Sequence, residues 1–167
     1  RAYWSVGLAR HFDYFTSILF FNETATTGIY TRSLVGSVRW VEEQDEKIRL
    51  NLTDNLGFVR EVLLKLDGVP WVFARSVIPL NTLTAPGGEL EQLGNRSLGS
   101  VLFSAPDMQR SEIEIAEFHS HSKVYSLSHL FSSAPKASLF GRRSCFLLGG
   151  QSLLVSEVFL PDALAYK

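Results

Sequence analysis

The chain has 167 residues, of which 46% are hydrophobic, and a formal net charge of -1. This size and composition predict a single globular domain over residues 1–167 with a sizeable core. The scattered basic residues do not favour nucleic-acid binding, and no apolar run reaches the roughly 20 residues of a membrane span. We therefore expect a cytoplasmic protein, and a monomer.

The N-terminal segment, residues 3–21, carries aromatic and apolar residues at a helix-compatible spacing, which favours a helix packed on a sheet. Weaker strand patterns follow at residues 33–42 and 47–52. The chain begins with Arg1, and its only methionine is Met108, so we expect the initiator methionine to lie upstream of Arg1.

The clearest element is a hairpin over residues 58–79, in which Asp67-Gly68 separates two apolar runs. This dipeptide favours a type I′ turn, because both central residues of that turn need φ > 0. Simple alternation then places Arg60 directly opposite Arg75. Their face would also carry six apolar side chains, those of Val62, Leu64, Leu66, Val69, Trp71 and Phe73.

Two arginines in opposite positions would destabilise a sheet. We therefore predict that a carboxylate or phosphate of a ligand lies between Arg60 and Arg75, since guanidinium groups bind such anions bidentately. The alternatives are another strand register or a charged face that is solvated.

The middle of the chain is less informative. A short helix is a candidate at residues 89–93, and residues 111–118 alternate as in a strand, although a helix is also compatible. Residues 119–138 are rich in serine and histidine, which favours a solvated loop over a metal site. We expect no metal.

A second hairpin is predicted around Gly149-Gly150, with Arg142 opposite Glu157. These two residues are either a structural cross-strand pair or, with the two arginines of the first hairpin, a polar group lining a cavity above the sheet. Cys145, the only cysteine, is interpreted as a small core residue. Two hairpins and scattered strands predict an α+β fold, an antiparallel sheet with helices covering one side.

Several segments, in this order and with mostly matching spacing, resemble the chorismate pyruvate-lyase family from about residue 18 to the C-terminus. They are Val59–Leu64, Asp67–Trp71, Ala74–Pro79, Leu93-Gly94 with Ser97–Gly99, Leu102-Phe103, Gly141–Ser144 and Glu157–Pro161. The resemblance implies conversion of chorismate to 4-hydroxybenzoate and pyruvate without a cofactor, at the start of bacterial ubiquinone biosynthesis. It also implies a ligand cavity enclosed by flaps.

The resemblance also implies roles for individual residues. Arg60 would bind the ring carboxylate, Leu98 would contribute its backbone amide, and Glu157 would contact the 4-hydroxyl side of the ring. Ala25 takes a substrate-binding position where the family has a methionine. We further hypothesise that Arg75 binds the side-chain carboxylate or the ether oxygen and that Glu157 assists proton transfer, which would make both residues catalytic.

Three other interpretations stay open. The same fold serves as the effector-binding domain of bacterial transcription regulators, which bind small ligands without chemistry; sequence upstream of Arg1 would distinguish this case. A relative that only sequesters aromatic acids is favoured by Ala25 alone. A plain α+β domain with solvated arginines is disfavoured by the apolar hairpin faces.

Overall fold

A computed structural model describes residues 5–6, 30–40, 44–52, 56–83, 90, 93, 97–120, 122–130, 136–163 and 166. These residues form eight strands and four short α-helices. In chain order they are β1 (Ser5–Val6), β2 (Tyr30–Trp40), α1 (Gln44–Leu50), β3 (Leu56–Leu66), β4 (Val69–Pro79), α2 (Leu80–Leu83), α3 (Leu98–Ser104), β5 (Gln109–Arg110), β6 (Glu114–Phe118), α4 (Lys123–Ser128), β7 (Leu139–Leu148) and β8 (Gln151–Phe159). Within the described ranges, every helix is too short or too polar to cross a membrane.

The strands form one antiparallel sheet in the order β1-β6-β7-β8-β4-β3-β2, and β5 pairs with β7. The predicted α+β class is therefore confirmed. Pairing of β4 with β8 joins the two predicted hairpins, β3–β4 and β7–β8, so that they form the centre of the sheet. Charged residues of both hairpins are thereby brought onto neighbouring strands.

Both hairpin turns have the predicted geometry. Asp67 and Gly68 have φ values of 49° and 80°, and Gly149 and Gly150 have values of 55° and 77°. Two consecutive positive φ values are the signature of a type I′ turn, whose twist matches that of the flanking strands. The predicted β7–β8 register is also confirmed, with Arg142 opposite Glu157.

The register predicted for β3–β4 is wrong beyond the first two residue pairs. Lys65 pairs with Pro70, but Leu64 pairs with Val72, so Trp71 is an extra residue in a β-bulge. The carbonyl oxygen of Trp71 instead accepts a hydrogen bond from the Leu160 N–H group (2.8 Å). Since side chains alternate with a period of two, this one-residue shift moves every following β4 side chain to the other face relative to β3.

Other local predictions had mixed outcomes. The strand predicted at residues 33–42 is confirmed by β2, and the one within residues 111–118 by β6. The strand predicted at residues 47–52 is wrong, because α1 covers most of it, with acidic residues in its first turn and basic residues in its last. Residues 119–138 contain α4, where a loop was predicted.

Two further predictions fall largely outside the described residues. Ser5 and Val6 pair as a strand with β6, which contradicts a helix at that point; the rest of the segment 3–21 is not among the described residues. Of the helix candidate at residues 89–93, the structure describes Leu90 and Leu93, which are both buried in the core.

The sheet has two faces, named here after the arginines they carry. The Arg60 face includes Phe58, Arg60 and Val62 of β3 and the residues that pair with them across the sheet. At one end of this face, α3 packs on a core of buried side chains. This core contains Phe58, Ile78, Leu90, Leu93, Leu98, Leu102, Phe146 and Leu153.

The opposite, Arg75 face includes Val59, Glu61 and Leu63 of β3 and their cross-strand partners. Leu50 of α1 packs there on Val59, Val77 and Leu154, and α4 packs on a neighbouring cluster around Phe118. The described helices therefore lie on both faces of the sheet, where one covered side was predicted.

Gly141 lies at the contact between β6, β7 and β8. A Cβ atom at this position would be 2.8 Å from the carbonyl oxygen of Glu157 and 2.8 Å from Cε2 of Phe118. Because the backbone oxygen cannot rotate away, we expect Gly141→Ala to lower the free energy of unfolding by about 1–3 kcal/mol. Urea unfolding measures this loss, and an unchanged midpoint would contradict the crowding.

Candidate functional site

Arg60 is a buried cation near the middle of β3, the strand next to the edge strand β2. The residue is 5% exposed, and it pairs with Ser76 of β4. Burial lowers the pKa of the Arg60 guanidinium, but an arginine side chain stays protonated at physiological pH. The sheet therefore holds a permanent positive charge at this position, with a small side chain opposite it.

Glu157 and Arg142 form a buried ion pair on the same face. Arg142 is 4% exposed and Glu157 is 8% exposed. The Arg142 Nε–H group donates a hydrogen bond to Oε2 of Glu157 (2.6 Å), and Cζ of Arg142 lies 5.8 Å from the ring centroid of Phe159. The pair fixes the orientation of a carboxylate next to the centre of the sheet.

Small side chains separate Arg60 from this pair. Across the sheet, Arg60 pairs with Ser76, Ser76 with Val155, and Val155 with Ser144. In the next row, Ala74 lies between β3 and Glu157. Serine, alanine and valine project little from the strands, so the residues between these charged groups are small.

A cavity opens next to these rows. It is lined by Arg110, Arg142, Arg143, Ser144, Phe146, Val155 and Glu157. The Arg110 and Arg142 guanidinium groups, the Glu157 carboxylate and the Phe146 ring are on the Arg60 face, whereas the Arg143 side chain is on the other face. The cavity is small, and its two guanidinium groups suit a carboxylate group.

Arg110 was not identified from the sequence. It lies in β5, opposite Phe146 of β7. Its Nε–H group donates a hydrogen bond to Oγ of Ser144 (3.1 Å), and its Cζ lies 5.4 Å from the centroid of the Phe146 ring. Arg110 thus joins Arg142 and Glu157 at the cavity.

A sequence signal for Arg110 exists but is weak. Arg110 precedes the alternating stretch 111–118 by one residue. A strand of two residues has too short a pattern to be recognised, and its pairing with β7 links positions more than 30 residues apart in the chain.

Arg75 does not lie opposite Arg60, because the β-bulge at Trp71 places it opposite Glu61. It is on the other face of the sheet, where its guanidinium donates to Glu46 (3.0 and 3.1 Å) and to Glu61 (2.8 Å). Burial alone would lower the pKa of Arg75, but the hydrogen bonds and charges of Glu46 and Glu61 raise it. The prediction that Arg60 and Arg75 face each other across a bound anion is therefore wrong.

A second arginine, Arg143, is similarly engaged on the Arg75 face. Its Nε and Nη2 groups donate to Oε2 of Glu114 (3.1 and 2.9 Å), and its Nη1 group donates to Asp45 of α1. Arg49 of α1 also forms an ion pair with Glu114. These ion pairs anchor α1 to the sheet, which accounts for the charged residues of this face.

The remaining predicted site residues have separate outcomes. Leu98 is the first residue of α3 and is buried in the core of the Arg60 face, so its backbone N–H group lies in the first helical turn. Ala25 lies outside the described residues. Burial raises the pKa of the Cys145 thiol, which agrees with a core residue rather than a nucleophile.

Residues 24–167 match the family model described as chorismate lyase. A probable chorismate pyruvate-lyase from Shewanella amazonensis is 48% identical over 109 residues, covering 65% of this chain and 58% of that protein. A probable chorismate pyruvate-lyase from Pseudoalteromonas translucida is 37% identical over 156 residues, covering 89% of this chain and 84% of that protein. The chain spans about three fifths of the first of these relatives.

Solved structures of the same fold come from transcription regulators. The C-terminal domain of PhnF is similar with a TM-score of 0.62 and 13% identity, over 82% of this chain and 86% of that chain. A GntR-family regulator from Bacillus cereus has a TM-score of 0.59 and 8% identity, over 83% and 96% of the two chains. At these identities the likeness concerns the fold alone.

Proposed function

Because the chain belongs to the chorismate lyase family, we propose that it converts chorismate to 4-hydroxybenzoate and pyruvate, the first step of ubiquinone biosynthesis. The observation that carries the proposal is the charged group on the Arg60 face, where Arg60, Arg110, Arg142 and Glu157 share one face with small side chains between them. We propose that the protein is a monomer located in the cytoplasm.

The charge of this group suits the substrate. Three arginines of this face (Arg60, Arg110 and Arg142) and the Glu157 carboxylate are largely shielded from solvent, whereas Glu117 on the same face is exposed. Arginines outnumber carboxylates among these shielded side chains, which suits a substrate with two carboxylates. On the Arg75 face, carboxylates of the protein bind Arg75 and Arg143.

The reaction is an elimination in which no net oxidation occurs. The C3–O bond breaks, and its electron pair leaves with the enolpyruvyl group. The electrons of the C4–H bond complete the aromatic ring, and the C4 proton is balanced by the proton that converts enolpyruvate to pyruvate. Since aromatisation favours the products, the protein needs mainly to hold a reactive conformer and to stabilise the negative charge that develops on the leaving group.

Arg60 and Leu98 are the proposed anchors of the aromatic ring. A buried guanidinium can form two parallel hydrogen bonds to the ring carboxylate, and the Leu98 N–H group in the first turn of α3 is a further donor for it. Ala25 keeps its proposed place at the same ligand on the strength of the family resemblance. We propose that Arg75 holds α1 through its ion pair with Glu46 and does not bind the substrate.

Glu157 is the proposed partner of the 4-hydroxyl group. Its Oε2 atom accepts from Arg142, so Oε1 is the atom that would accept a hydrogen bond from the ligand. This contact would orient the ring at the end remote from the ring carboxylate, and it would place the Glu157 carboxylate near the C4 hydrogen. We propose Glu157 as the protein group that assists removal of that proton.

A second candidate function is ligand binding without turnover. The similarity to GntR-family domains favours it, since one such solved structure is a ligand-binding domain from a Bordetella bronchiseptica regulator, with a TM-score of 0.58. The same charged face would then bind an aromatic carboxylate without chemistry.

Incubation of the purified protein with chorismate tests the proposal. We expect 4-hydroxybenzoate and pyruvate to appear in equal amounts, measured by chromatography against a protein-free control that corrects for spontaneous decay. Unchanged chorismate together with a melting temperature raised by 4-hydroxybenzoate would favour the binding function. Unchanged chorismate and no thermal shift would contradict both functions.

A further inference from the structure

We propose that Arg110 binds the enolpyruvyl carboxylate of the substrate, while Arg60 binds the ring carboxylate. The inference rests on the proposed function, and it replaces Arg75 with a residue on the correct face of the sheet. Arg110 would thus be a catalytic residue, since it would contact the leaving group.

A row of small side chains across the sheet separates Arg60 from Arg110, which lies beside the far part of this row and pairs with Phe146. Arg60 begins the row on β3, Ser76 and Val155 follow, and Ser144 on β7 ends it. Arg110 is hydrogen-bonded to Ser144. Three strand spacings separate Arg60 from Ser144, about 14 Å between backbones. In the proposed complex the substrate lies across this row, with one carboxylate at each guanidinium group.

The backbone holds Arg110 firmly at this end of the row. Immediately after it, the Ser111 N–H group donates to the carbonyl oxygen of Cys145 (2.9 Å). The Cys145 N–H group donates in return to Oγ of Ser111 (2.9 Å). With Phe146 against its guanidinium, the side chain is positioned before any ligand binds, which reduces the entropy that binding costs.

The charges around Arg110 favour an anion. Burial and the charge of Arg142 lower the pKa of Arg110, while the charge of Glu157 raises it, so Arg110 lies within electrostatic reach of both. Arg142 donates its Nε–H group to the Glu157 carboxylate, and Arg110 donates its Nε–H group to the Ser144 hydroxyl. A carboxylate placed between Arg110 and Arg142 would reduce the repulsion between the two cations.

In this proposal, each of the two arginines binds one of the two products. After the C3–O bond breaks, the ring carboxylate stays with 4-hydroxybenzoate at Arg60, and the other carboxylate leaves with pyruvate at Arg110. Negative charge develops on the enolpyruvyl oxygen during cleavage, next to the carboxylate that Arg110 holds. Arg110 should therefore stabilise the transition state and contribute nothing to the affinity for 4-hydroxybenzoate.

The decisive variant is Arg110→Gln, tested with two ligands. We expect kcat/KM for chorismate to fall on the order of 100-fold, while the Kd of 4-hydroxybenzoate, measured by calorimetry, changes less than about threefold. Arg110→Lys should recover part of the loss, because lysine keeps the charge without the bidentate geometry. Arg49→Gln, the same change in α1 on the other face, should leave both quantities unchanged.

Two results would overturn the assignment of Arg110. One is wild-type kcat/KM in Arg110→Gln. The other is an equal loss of affinity for chorismate and 4-hydroxybenzoate, with a lower melting temperature, which would mean a structural role. If the wild-type protein binds chorismate without cleaving it, the proposed function is wrong, but the assignment of Arg110 can still be tested. A higher Kd for chorismate in Arg110→Gln would then support the assignment, and an unchanged Kd would overturn it. Absence of chorismate binding to the wild type would overturn both.

Discussion

Replacing Arg60 by glutamine is expected to weaken the binding of 4-hydroxybenzoate by about 100-fold or more, since two charge-assisted hydrogen bonds to the ring carboxylate would be lost. Turnover of chorismate should fall at least as far, because the same contact orients the ring for elimination. Calorimetry with 4-hydroxybenzoate and initial rates with chorismate measure the two effects.

Two further variants control for this result. Arg60→Lys retains a positive charge but not the planar donor fork, so its affinity should lie between those of the wild type and Arg60→Gln. Arg49→Gln removes an arginine from α1 on the other face and should bind 4-hydroxybenzoate as the wild type does. A folded Arg60→Gln protein with wild-type affinity would show that the carboxylate is bound elsewhere.

Replacing Arg142 by methionine is expected to lower the free energy of unfolding by about 3–5 kcal/mol, because it leaves the buried Glu157 carboxylate without its counterion. Chorismate turnover should be lost as well, since Arg142 holds Glu157 through the 2.6 Å hydrogen bond. Urea unfolding and initial rates, both at neutral pH, test these expectations.

A double variant separates the two effects. Arg142→Met combined with Glu157→Gln removes both charges, so most of the lost stability should return while turnover stays low. A pair that is merely solvated contributes about 0–1 kcal/mol. Arg142→Met with wild-type stability would therefore identify a surface pair and would remove the argument that Arg142 positions Glu157.

The sequence by itself determined the local geometry of the central hairpins. Asp67-Gly68 and Gly149-Gly150 impose type I′ turns, because few other residue pairs tolerate two successive positive φ values. For β7–β8 the turn was sufficient to predict the whole register, and with it the pairing of Arg142 with Glu157. The ordered motifs also indicated the family, because motif matching does not depend on how the strands pair beyond each turn.

Tertiary structure decided which charges share a face. Alternation of side chains is a local property, and it predicted Arg60 opposite Arg75. This prediction is wrong because the bulge at Trp71 shifts the register by one residue. The Trp71 carbonyl oxygen is satisfied by Leu160, a residue 89 positions further along the chain, so no pattern within the hairpin could report it. The acidic partners of Arg75 on α1 are equally remote.

Arg110 shows the same limit of local sequence patterns, because it is a site residue that these patterns did not identify. Its two-residue strand has no periodicity to detect, and its position in the site follows from pairing with β7, more than 30 residues away. Short-range sequence patterns therefore predicted the two turns and the alternation of side chains along the strands next to each turn. Hydrogen bonds between distant segments decided which side of the sheet each arginine occupies, because the free energy of those contacts depends on the whole chain being folded.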